Sequence, residues 1–113
     1  MIPQLKDRHL NYIRETIQTE LLKRGFQADV IELEQKKDKL HFKTDFFQTT
    51  PVIFKTLYIG NFNSSITKDF NGNISVFIGV NVFYTLFNSG SNSTNLFGLS
   101  FHFNEYSSDY KIV

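Results

Sequence analysis

The chain has 113 residues, enough for one domain with a core and too few for two. Its 41% hydrophobic and 20% charged residues are the proportions of a globular protein, but thirteen Phe and five Tyr stand against one Met and no Trp. Net charge is +1 and Cys is absent, which excludes disulfides, thiolate metal sites, cysteine nucleophiles and the one-sign field that steers a protein onto a polyanion.

The first ten residues carry Lys6, Asp7, Arg8 and His9 and no apolar run, so a secretory signal is not expected. Together with the missing Cys this fits a cytoplasmic location. Leu10, Ile13, Ile17 and Leu21 then step by three, four and four, one stripe of an α-helix. Arg14, Glu15, Gln18, Thr19 and Lys23 take the other faces, and Glu20 and Arg24 form a favourable i,i+4 pair. Pro3 suits a first turn and Gly25 a left-handed C′ position, so the spacing predicts a helix from Gln4 to Arg24 with one face to bury.

After the helix the period becomes two. Ile31 and Leu33 alternate with Glu32 and Glu34, and Leu40, Phe42 and Phe46 alternate with His41, Lys43 and Asp45. A hairpin turning at Lys36-Lys37-Asp38-Lys39 sets Leu33 opposite Phe42 and Glu32 opposite Lys43, with one apolar and one charged face. Pro51 breaks the pattern and a further strand starts at Val52. Asn71-Gly72 reads as a two-residue type I′ turn, which pairs Leu57 with Leu86, Ile59 with Tyr84 and Gly60 with Phe83.

From Phe70 to Asn104 no Asp, Glu, Lys or Arg occurs in thirty-five residues, while seven Phe do. Apolar residues there alternate with Asn, Ser and Gly, which is sheet and not a spanning helix. The run from Asn88 to Asn95 is all turn formers and reads as a mobile tip. Pairing Phe87 with Leu96 across it aligns Phe97, Leu99, Phe101 and Phe103 with Leu86, Tyr84, Val82 and Val80 on one face. The expected fold is α+β, a single domain over residues 1–113. Its N-terminal helix packs on one face of a roughly five-stranded antiparallel meander, over Val76, Ile78, Val80, Val82, Leu99, Phe101 and Phe103. Residues 105–113 add a short edge strand or fray.

One helix covers one side of a sheet. The other side is expected to carry Phe77, Asn81, Phe83, Thr85 and Phe87, with Ser100, His102 and Asn104 beside them, an aromatic surface without charge. A curl or a bulge at Gly79 that buries these rings within the chain is the competing reading. His9, His41 and His102 have no metal-ligand spacing, and Glu32 and Glu34 look like surface charges, so no cofactor, metal or catalytic set is expected. His102 falls opposite Asn81 in the expected register, a pair able to meet a ligand.

Leu57-Tyr58-Ile59-Gly60-Asn61-Phe62 resembles the first-strand hexamer of RNA-recognition motifs, and Gly98-Leu99-Ser100-Phe101 resembles part of their third-strand octamer. The resemblance implies bases stacked on aromatics of those two strands. Asn71-Gly72 stands where that family has its first helix, the octamer-like run lacks its basic residue, and the remaining chain is too short for the last helix and strand.

The composition therefore points to a non-enzymatic interaction or assembly subunit. It would self-associate, or meet a protein partner, through Phe77, Asn81, Phe83, Phe87, His102 and Asn104. A binding module for a small apolar or aromatic ligand at that face comes second and an RNA-binding sheet third; neither nucleic acid nor membrane is the expected partner.

Overall fold

A computed structural model describes residues 4–48, 55–58, 62–86 and 91–113. It contains a helix, α1 (Asp7–Lys23), then β1 (Phe26–Lys36), β2 (Lys39–Gln48), β3 (Lys55–Tyr58), β4 (Phe62–Lys68), β5 (Ile74–Leu86), β6 (Ser91–Phe103) and β7 (Ser108–Ile112). The class is α+β, with one helix packed against antiparallel sheets. The single five-stranded meander is corrected: β1 and β2 form a separate hairpin, and the main sheet runs β3-β5-β6-β7 with β4 also on β5. Because β3 pairs with Tyr84 and its neighbours while β4 pairs with Ile74 to Val80, those two share one edge position end to end.

The helix starts later than expected. Lys6 is still extended, with φ −82° and ψ 162°, and its N–H donates to His9 Nδ1 at 3.2 Å. One residue earlier the Leu5 N–H donates to Gln35 Oε1 at 2.8 Å, which holds the lead-in against β1. Pro3 lies outside the described residues. At the other end Gly25 takes φ 84°, as the C′ reading requires, and its N–H donates to the Leu22 carbonyl.

Ile13, Ile17 and Leu21 are fully buried against Val76, Ile78, Val80, Leu99 and Phe101, with Phe103 beside them. The apolar stripe, with Leu10 partly buried, and the inward face of the sheet are thus the ones the sequence indicates, except that the Val82 side chain lies outside what the structure describes. Burial of each such side chain contributes about 1.5–3 kcal/mol relative to exposure, against the conformational entropy of ordering it.

Registers divide sharply. In the first hairpin Leu33 pairs Phe42 and Glu32 pairs Lys43, as expected, although the loop is only Lys37 and Asp38, with Lys37 at φ 59°. Between β4 and β5 the loop is not a two-residue turn. The Asp69 N–H donates to the Asn73 carbonyl and the Gly72 N–H to the Asp69 carbonyl, with Gly72 at φ 86°. That is a three-residue loop closed by a left-handed glycine. Asp69 Oδ1 also accepts from the Asn71 and Asn73 N–H groups, at 2.9 and 3.0 Å. Those bonds, that from the Asn73 backbone foremost, hold its carboxyl below the ordinary value. Accordingly Leu57 pairs Tyr84, Lys55 pairs Leu86 and Tyr58 pairs Phe83; Ile59 and Gly60 lie outside the described residues.

The β5–β6 register is corrected by six residues. Val80 pairs Phe97, Ile78 pairs Leu99 and Val76 pairs Phe101. Ser91 to Asn95, expected as a tip, belong to β6 and pair Thr85 through Asn81. A register irregularity falls between Val80 and Asn81, one step beyond the glycine suggested for it. Phe87 lies outside the described residues. The tail does form an edge strand, β7.

The hairpin of β1 and β2 lies beside β4. The Leu40 N–H donates to Ser64 Oγ at 2.8 Å, and the Phe42 and Phe62 rings stack with centroids 4.3 Å apart.

Candidate functional site

The outward side of the main sheet is uncharged at its centre. Phe77 is 37% exposed, and its ring lies over Gly98, where a Cβ would sit 3.3 Å from Phe77 Cε2. Gly98 pairs Gly79, and a Cβ at Gly79 would overlap the Asn63 amide. Bare backbone at both glycines is what lets an aromatic ring and an amide lie down on the sheet. Beside them three amides form a ladder across β4, β5 and β6. Asn81 Nδ2 donates to Asn63 Oδ1 at 3.1 Å, and Asn95 Nδ2 donates to Asn81 Oδ1 at 3.0 Å.

The residues expected on this face are only partly brought together. Phe77 and Asn81 are there. His102 is exposed but pairs Ser75, not Asn81; its ring sits 3.5 Å from Ser75 Oγ and 3.3 Å from Ser100 Oγ. Phe83 stands on β5 opposite Tyr58 and Ser93. Asn104 is not a face residue: it opens the β6–β7 turn, where Oδ1 accepts from the Tyr106 and Ser107 N–H groups at 2.8 and 2.7 Å. Among the described residues charge returns at the rim, where Asp109 pairs His102 and Lys111 pairs Ser100. The RNA-motif resemblance loses its platform, because Phe101 is fully buried in the core and β5 separates β3 from β6.

Two features lie away from that face, and of them only the Glu20–Arg24 pair is expected from the sequence, which the structure forms at 2.9 Å. The first is a hub at the end of α1. Glu20 is buried, and its carboxylate accepts from Arg24 Nη1 at 2.9 Å, from the Tyr110 hydroxyl at 2.8 Å and from Lys23 Nζ at 3.3 Å. Burial pushes its pKa up, but the bonds from Arg24, Tyr110 and Lys23 outweigh it and hold the carboxyl below its ordinary value. The Arg24 guanidinium also lies 4.3 Å from the centre of the Phe97 ring. All these groups are satisfied by one another, so the hub is a fastening and not an acid/base pair. Its signal was in the sequence: His9, Ile13, Thr16 and Glu20 step by four, three and four, and all four are buried.

The second feature is a cavity of about 530 Å³ at the turn end of the sheet. The start of α1 supplies Lys6, Arg8 and His9, the β4–β5 turn supplies Asn71 to Asn73, and the β6–β7 turn supplies Asn104 to Tyr106. Ile74 and Phe103 complete the wall. His9 is only 4% exposed and its ring lies against Phe103, centroids 4.5 Å apart. Burial first, then the Arg8 and Lys6 charges, push its pKa down from 6.5, so it is neutral at pH 7. Nδ1 accepts from the Lys6 N–H, which leaves the ring proton on Nε2. That atom has no partner, alone among the buried side-chain nitrogens and oxygens of the described residues. Nothing in the sequence brings these three segments together.

Among the described residues no group of three or more His, Asp or Glu could hold a metal ion, and no helix is long and apolar enough to cross a membrane. Comparison of the chain with protein families, with curated proteins and with solved structures gives no match.

Proposed function

We propose that the chain is a non-enzymatic assembly subunit whose copies associate through the outward face of β4 to β7. The observation that carries this reading is the amide ladder of Asn63, Asn81 and Asn95. Exposed amides bond to water and resist being covered. Here they bond to each other, so a partner covers them at a smaller desolvation cost. Around the ladder lie Phe77 and the two paired glycines, and among the described residues the charges on the face, Asp109 and Lys111, stand on the edge strand. An uncharged centre with a polar rim is the anatomy of an association surface.

A second copy is the occupant, because the area suffices. At about 3.3 Å per residue and about 4.8 Å per strand, β4 to β7 pave roughly 600 Å², the lower end of the roughly 600–1,000 Å² that each partner of a standard interface contributes. A small apolar ligand on this face, with Phe77 and His102 around it, is less well supported, since the cavity described above lies at the turns.

The test is light scattering after size exclusion, from about 1 to about 200 μM, a range that brackets micromolar self-association. The unaltered chain should exceed one subunit in mass, and Phe77→Asp should be folded and monomeric. A strictly monomeric native chain over that range refutes the proposal.

A further inference from the structure

We propose that the cavity at the turn end of the sheet binds a small oxyanion carried on an apolar body, with its head between Lys6, Arg8 and the His9 Nε2–H. The start of α1 favours negative charge because its first N–H groups lack intrahelical acceptors. That alone would not define a site. The independent observation is His9: a ring at the wall of the cavity, nine-tenths and more buried, with one nitrogen turned back to the Lys6 N–H and the other unpartnered. That nitrogen is closed to water as well as to protein, so an acceptor oxygen satisfies it once the Lys6 and Arg8 side chains or the ring itself shift to admit one.

The rest of the wall fits the same ligand. Lys6 and Arg8 are exposed and make no ion pair among the described residues, so their charge is unspent. The half-buried Ile74 and the 90% exposed Tyr106 ring offer apolar surface next to that charged corner, with the buried Phe103 behind them. Glu105 also lines the cavity, and its carboxylate repels an anion, which confines the head to the Lys6 and Arg8 side and turns the apolar body toward Tyr106. A space of about 530 Å³ accepts a ligand of one or two rings. The ligand class is thus an aryl or alkyl carboxylate or phosphate monoester.

The experiment is an NMR titration of the full chain with phenyl phosphate, benzoate and, as neutral control, phenol. Saturable shifts sharing one Kd are expected at the Arg8, Gly72 and Asn73 amides and at the His9 ring nitrogens, with phenol at least about tenfold weaker. Arg8→Ala, on an exposed side chain, should weaken the anionic probes about tenfold and leave the amide spectrum of the free protein in place. The proposal is overturned if no probe saturates below about 10 mM, which is too weak for a built site. It is equally overturned if phenol binds as well as the anions, or if Arg8→Ala leaves their Kd unchanged. Phenyl phosphate and benzoate distinguish the two head groups, and binding of either one sustains the site.

Discussion

Replacing Tyr110 by Phe removes one oxygen from the molecule and leaves the ring contacts with Tyr12 and Phe101, at 6.2 and 5.9 Å, in place. The lost bond is the 2.8 Å donation to the Glu20 carboxylate, which fastens the edge strand β7 to α1 across ninety residues of chain. A hydrogen bond to a charged acceptor contributes about 1.5–3 kcal/mol. Lys23 reaches the same oxygen at 3.3 Å from an exposed position and can tighten, so the lower end applies, about 1.5 kcal/mol at pH 7. For a chain of this size that is a fall in Tm of about 6 °C. The effect should also depend on pH. The folded-state pKa of Glu20 lies below its ordinary 4.5, so the carboxylate contributes stability above that value and loses it as pH falls through the folded pKa. Urea unfolding followed by circular dichroism at pH 7 and stepwise into acid should show the Tyr110→Phe loss shrinking by roughly half, toward that of a neutral bond, once Glu20 takes up its proton in the folded state. A loss below about 0.5 kcal/mol at pH 7, or one undiminished in acid, would refute the reasoning.

Ile17→Ala, at a fully buried position of the helix stripe, should lower stability by about 2–5 kcal/mol in urea titrations, and a cost under about 1 would mean the helix is not seated on the sheet. The pKa of His9 is lowered from 6.5, so the folded state loses stability as pH falls below that value; His9→Phe should flatten this part of the stability profile, and an unchanged slope would remove His9 as its source. Gly72→Ala places a Cβ at φ 86° and should cost about 1 kcal/mol, measured as a shift in urea midpoint; no shift would mean the loop relaxes to another turn. Replacing residues 88–95 by Asn-Gly deletes the β6 pairs from Thr85↔Ser91 to Asn81↔Asn95 and should lower Tm by more than about 5 °C, whereas an unaltered Tm would return that segment to a dispensable tip.

The sequence was most legible where charge marks the faces. Glu32 against Lys43 and Leu33 against Phe42 fix the first hairpin, because an odd slip would set unlike faces together and an even one would part the opposite charges. Across the long uncharged run the inward set of Phe97, Leu99, Phe101 and Phe103 was readable, but its partners were not. A slip of six residues is even, so every side chain keeps its face and hydrophobic agreement persists in the wrong register. Agreement over four pairs was therefore weaker support than it looked. Asn71-Gly72 makes a two-residue turn only when no side chain just upstream competes, and Asp69, two residues before Asn71, captures the N–H groups of both Asn71 and Asn73. Of the candidate face, Phe77, Asn81 and His102 followed from alternation. The ladder through Asn63 and Asn95 did not, because it depends on the registers, and Asn104 was drawn away by its own turn.

The contacts that bury α1 come late in the chain. Its stripe rests on Leu99, Phe101 and Phe103, and its Glu20 waits for Tyr110. During synthesis at about 5–20 residues per second, the helix emerges several seconds before those partners exist. Over that interval an amphipathic segment has its apolar stripe in water, and closing the fold requires bringing together ends separated by nearly the whole domain. The helix made first is therefore the last to be covered, and the nascent chain is most exposed to chaperones and to aggregation before β6 and β7 arrive.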